Sequence, residues 1–121
     1  MNQSDFNAFC KSLPQTTHVV QWGNADVWKV GGKLFAVGGW NKDTDQFAVT
    51  FKVTDMGFEI LPEMLGVRPA PYLASRGMKW VQHYDLPGLS DTELRNHITA
   101  SYEMIRGKLT KKLKRELGFD T

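Results

Sequence analysis

The chain has 121 residues, 15 Lys+Arg against 13 Asp+Glu, four Trp and one Cys. That length gives a single domain with its own core, the lone cysteine excludes an intrachain disulfide, and no apolar run reaches the roughly 20 residues of a bilayer span. Met1-Asn2-Gln3-Ser4-Asp5 carries neither the basic nor the apolar region of a secretory signal, so the expectation is one soluble cytoplasmic domain spanning residues 1–121.

Phe6, Phe9, Cys10 and Leu13 recur at helical spacing. They predict an amphipathic helix over Ser4–Leu13, capped by Ser4 and stopped by Pro14. From Thr17 the period changes to two. Strands are expected at Thr17–Trp22 and Asp26–Val30, with Gly23-Asn24 as the turn between them. Gly31-Gly32 separates the second strand from Lys33–Val37, and two glycines there supply the positive φ of a tight hairpin. Gly38-Gly39 marks a bulge or a close backbone approach. After a polar loop, Asn41 to Asp45, the strand Phe47–Val53 turns Phe47, Val49, Phe51 and Val53 to one side.

A short helix follows from Thr54 to Leu65, limited by Pro62. The prolines at 69 and 71 make Val67 to Tyr72 extended. Met78–Tyr84 is the fifth strand candidate. Ser90-Asp91-Thr92-Glu93 then reads as a capping box before a long stripe of Leu94, Ile98, Tyr102, Ile105, Leu109, Leu113 and Leu117, broken near Gly107 and Thr110. The fold class is therefore α+β: an antiparallel sheet of about five strands, the N- and C-terminal helices on one face, the other face open.

Chemistry is sparse. His18, His83 and His97 are scattered, and His83-Tyr84-Asp85 is too short a pair to define a metal site. Cys10 sits inside an apolar stripe, which does not supply the basic, partly open setting of a catalytic thiol, and is read as a small buried hydrophobe. Neither glycine pair precedes a helix, as a phosphate-binding loop requires. No catalytic residue, metal or cofactor is expected.

Cations and aromatics remain. Residues 1–105 hold nine Lys+Arg and eleven Asp+Glu, whereas residues 106–121 hold six basic and two acidic residues. The macrodipole favours cations at a helix C terminus, so a solvated helix end explains that excess as well as an anionic partner does. Lys29 and Lys33 flank the Gly-Gly hairpin, Lys42 is in the next loop, Lys52 is on the fourth strand, and Arg68, Arg76 and Lys79 surround the fifth. Trp28, Trp40, Tyr72 and Trp80 are interleaved with them. Such a set can meet phosphates, or keep sheet edges soluble.

Asp26-Val27-Trp28-Lys29-Val30-Gly31-Gly32-Lys33-Leu34-Phe35-Ala36, Val67-Arg68-Pro69-Ala70-Pro71-Tyr72-Leu73, Lys79-Trp80-Val81 and Ser101-Tyr102-Glu103 together resemble the MmcQ/YjbR family over nearly the whole chain. The resemblance implies an α+β fold similar to frataxin and type III secretion chaperones, in small bacterial proteins described as double-wing DNA binders. Many relatives carry a His and a Lys near Ala74–Met78; this chain has no His there, so no role for it transfers and Arg76 or Lys79 would have to supply the charge. The expected function is non-enzymatic binding of double-stranded DNA through phosphates, by Lys29, Lys33, Lys42, Lys52, Arg68, Arg76 and Lys79. The alternative is a protein–protein interaction module using the same face or an edge strand.

Overall fold

A computed structural model describes residues 1–119. The first apolar stripe forms helix α1 (Gln3–Ser12), which buries Phe6 and Cys10. Its cap is Asn2, whose side chain accepts from the Asp5 amide at 2.8 Å; Ser4, the expected cap, lies one residue inside the helix. Three strands follow: β1 (Thr16–Gln21), β2 (Ala25–Val30) and β3 (Lys33–Asn41). β3 runs four residues further than expected because Gly38 and Gly39 remain extended within it. Gly38 is a close approach: a Cβ there would lie 2.5 Å from the Phe47 ring and 2.6 Å from the Phe6 ring. The bulge falls elsewhere. Trp28 pairs with Ala36 but Lys29 with Leu34, and the intervening Phe35 turns into the core.

Strand β4 (Gln46–Lys52) buries Val49 and Phe51. Thr54 caps the short helix α2 (Asp55–Ile60) by accepting from the Gly57 amide at 3.1 Å. Pro62 tightens its continuation into a 3-10 turn. The extended stretch that follows is a true strand, β5 (Val67–Pro69), antiparallel to β6 (Trp80–His83). This makes the sheet six-stranded, in the order β1-β2-β3-β4-β6-β5, one strand more than expected. Pro69 fits because β5 is an edge. Tyr72 departs from the expected extended run and takes a left-handed φ of 72°.

Helix α3 (Asp91–Gly107) opens with the capping box. Ser90 Oγ accepts from the Glu93 amide at 3.1 Å, and Glu93 accepts from the Ser90 amide at 3.0 Å. Ser101, fully buried on this helix, donates to the Phe35 carbonyl at 2.6 Å and accepts from the Lys52 amide at 3.0 Å, tying β3, β4 and α3 together. The chain breaks after Gly107, and Thr110 caps α4 (Lys111–Glu116). Leu109 and Leu113 close against the Gly31 turn.

Phe6, Trp28, Val30, Phe35, Val49, Phe51, Val81, Leu94 and Ile98 form the core between the sheet and helices α1 and α3. The opposite face is not bare. Trp80 pairs with Lys52, out of phase with core-facing Phe51 and Val81, yet it is buried, as are Ala48 and Thr50. The chain between β5 and β6 returns beside this face, and its presence there builds the site.

Candidate functional site

Antiparallel pairing sets Ala25 of β2, Gly39 of β3 and Ala48 of β4 in one cross-strand row, with Val37, Thr50 and Gln82 in the next. Together these small side chains floor a groove of ≈ 770 Å³ on the face away from the core. One wall comes from Trp22, in the β1–β2 turn, with Trp40 and Lys42 at the end of β3; the other comes from Pro71, Tyr72, Leu73 and Arg76. Trp22, Trp40 and Tyr72 are 67%, 61% and 70% exposed, whereas Trp28 and Trp80 are 5% and 2% exposed. The tryptophans thus divide into two structural and two groove-facing.

The cations divide as well. Of the seven expected to bind together, the groove collects Lys42, Arg68 and Arg76. Arg68 is held from both sides: Nε and Nη2 donate to Gln82 Oε1 at 3.0 and 2.8 Å, and its guanidinium lies 4.2 Å over the Tyr84 ring. Arg76 sits 5.2 Å over the Tyr72 ring and donates to its hydroxyl at 3.3 Å. No Asp or Glu lines the groove, and among the described residues neither ion pair involves a Lys or Arg.

Lys29 and Lys33 flank the Gly31-Gly32 turn, at the opposite end of the sheet from Trp22 and Lys42. Lys52 lies near Lys108 and Asp55; burial, then the Lys108 charge and hydrogen bond, hold its ammonium below the ordinary lysine range. Lys79 rests 4.8 Å over the Phe58 ring. None of these four lines the groove. Because Leu109 and Leu113 seat the α3–α4 junction on the Gly31 turn, the basic terminal helix belongs to the Lys29–Lys33 end.

Asp26, His18, His83 and His97, outside the groove, have structural partners. Asp26 is buried and accepts from Gln3 at 2.9 Å, while His18 Nε2 lies 2.8 Å from its other oxygen. Burial raises its carboxyl, but hydrogen bonds from His18, Gln3 and Asn7 outweigh this and hold it below the usual carboxylate range. His83 Nδ1 accepts from the Leu89 amide at 3.1 Å. His97 stacks on Phe51, ring centroids 5.3 Å apart. Burial, reinforced by the Asp26 charge, pushes the Cys10 thiol far above its ordinary range. Among the described residues no three His, Cys, Asp or Glu gather as a metal site, and no helix is long and apolar enough to cross a membrane.

Sequence reasoning passed over Trp22 and the small floor. The available signals were a bulky aromatic immediately before Gly23-Asn24 and one minimal side chain, Ala25, Gly39 or Ala48, on each of three successive strands. The YjbR family model matches residues 11–104, most of the chain. The chain belongs to the YjbR family. Two solved structures share the fold of this YjbR domain. Protein DR2400 of Deinococcus radiodurans, which carries a DUF419 domain, aligns at a TM-score of 0.80 with 22% identity, over 97% of this chain and 88% of its own. A protein from Pseudomonas syringae aligns at a TM-score of 0.68 with 21% identity, over 87% of this chain and 99% of its own. No curated protein matches the YjbR chain by sequence.

Proposed function

We propose that this YjbR domain is a non-enzymatic DNA-binding protein and that the groove face is its contact surface. The observation that carries the reading is the groove's charge: Lys42, Arg68 and Arg76 line it with no carboxylate among them. Cations left unpaired in a concavity attract a polyanion, and phosphate neutralisation releases condensed counterions. The Lys29–Lys33 turn and the terminal helix form a second basic region at the far end of the sheet, outside the groove.

The test is anisotropy of labelled DNA titrated with the protein across salt. Log K falls with log salt by about 0.9 per phosphate neutralised on duplex DNA, or about 0.7 on single strands. The Lys42→Ala/Arg76→Ala double variant lowers that slope by roughly two contacts. Lys29→Ala/Lys33→Ala leaves it nearly unchanged. Absence of binding at low salt, or a slope that only the hairpin variant flattens, removes the groove from the role.

One observation favours a second reading, a protein-interaction module. β1 is an edge strand, Thr16-Thr17-His18-Val19-Val20-Gln21, exposed over five of its six residues and free of the Lys, Glu or Pro that block edge pairing. A concentration-dependent dimer in sedimentation, abolished by Val19→Lys, supports that reading; DNA binding unaffected by Val19→Lys supports the first.

A further inference from the structure

Resting on the nucleic-acid reading, we infer that the groove holds a single strand, with unpaired bases stacked on Trp22, Trp40 and Tyr72. Four observations converge. The three rings line one groove, each more than half exposed, in a fold that buries its other two tryptophans. Two of them are held in left-handed backbone: φ is 50° at Trp22 and 72° at Tyr72, on opposite walls. That conformation is uncommon for bulky residues and costs free energy. Here it presents rings to solvent, so no interior packing compensates for it.

The floor is the third observation. Gly39 has an ordinary φ, and a Cβ placed there meets nothing closer than Ala25 Cβ at 3.6 Å. A larger residue fits the backbone, yet Ala25, Gly39 and Ala48 leave the centre of the groove empty and flat. A patch of small residues flanked by exposed aromatic side chains is a receptacle for planar rings. Finally, the site is concave. Duplex DNA is read by convex elements, a helix or a β-ribbon, entering its grooves. In a duplex the faces of the bases are covered by their neighbours; only an unpaired base offers a face to an aromatic side chain. Lys42, Arg68 and Arg76 then track the backbone as the bases stack. Gln82 has already committed its amide oxygen to Arg68 and its nitrogen to Thr50 at 3.1 Å, so little base-edge readout remains and sequence preference is weak.

The experiment compares three labelled probes of about 12 nucleotides: a mixed-sequence DNA strand, its duplex, and an abasic strand of equal charge. The intact strand is expected to bind about tenfold or more tightly than either of the others. Gly39→Leu, which fills the floor, and the Trp22→Ala/Trp40→Ala pair bring the strand down to the level that the abasic probe shows with the wild-type protein. Trp40→Phe, which keeps a ring, retains most of the preference. Equal affinity for strand, duplex and abasic probe overturns the stacking inference and leaves DNA binding standing. Failure of all three probes to bind at low salt overturns both.

Discussion

His83 shows how a single buried side chain sets a pH limit on the fold. Its Nδ1 accepts from the Leu89 amide, which it can do only while that nitrogen carries no proton. Burial lowers its pKa and the terminal ammonium lowers it further, against the opposing charges of Asp91 and Asp85. Burial lowers His97 too, opposed by Glu93. For both, the folded chain binds fewer protons than the unfolded one. The associated stability is complete above the unfolded histidine value of about 6.5 and is lost as pH falls through the lower folded values. Asp26 is depressed, so its contribution survives until more acid pH, below the carboxylate value of about 3.9. Melting temperature is therefore expected to begin dropping as pH falls below about 6.5, ahead of the carboxylate descent below about 3.9. His83→Gln/His97→Gln flattens that first descent and leaves the later one in place; a wild-type melting curve that does not change over that interval contradicts the assignment. Sequence read these histidines as surface or satisfied core residues. It could not foretell their partners, because Leu89 is brought to His83 by the turn at Gly88, where a Cβ would strike the imidazole at 2.3 Å.

At the scale of elements, the Gly31-Gly32 hairpin is legible from sequence as a turn, but the two glycines do different work. A Cβ on Gly31 would lie 2.7 Å from both terminal methyls of Leu109, whereas a Cβ on Gly32 meets nothing within 4 Å. Both have positive φ, 58° and 78°. Gly32→Ala therefore costs only the left-handed backbone, about 1 kcal/mol. Gly31→Ala adds overpacking against the α3–α4 junction and is expected to cost about 1–3 kcal/mol more, in chemical denaturation. Equal losses would mean that Leu109 and Leu113 move aside freely. The same contrast explains what sequence patterns conveyed. Periodicity found α3 and its Ser90–Glu93 capping box because those depend on neighbours within one turn. It missed β5 as a sheet strand because Val67–Pro69 has only three residues, too short for alternation to register, and its partner lies beyond Met78.

Across the whole molecule, the sheet order places β6 between β4 and β5, so the last strand in the chain is paired on both sides while β1 has a single neighbour. Amides of β3, β4 and β6 are expected to exchange slowest and those of the edge strands β1 and β5 fastest, with hydrogen–deuterium exchange as the measurement. Faster exchange in β6 than in β1 would contradict this topology. The candidate site belongs to this scale too, which is why it was only half legible. Lys42, Arg68 and Arg76 were visible as cations near aromatics, but their separation from Lys29, Lys33, Lys52 and Lys79 depends on which end of the sheet each turn occupies. The division of the four tryptophans has a practical consequence. Two indoles, at 28 and 80, are shielded and two, at 22 and 40, face water, so their emission differs in colour. Bases stacked on the groove indoles are expected to quench the red component and spare the blue, so the protein reports its own occupancy without a dye.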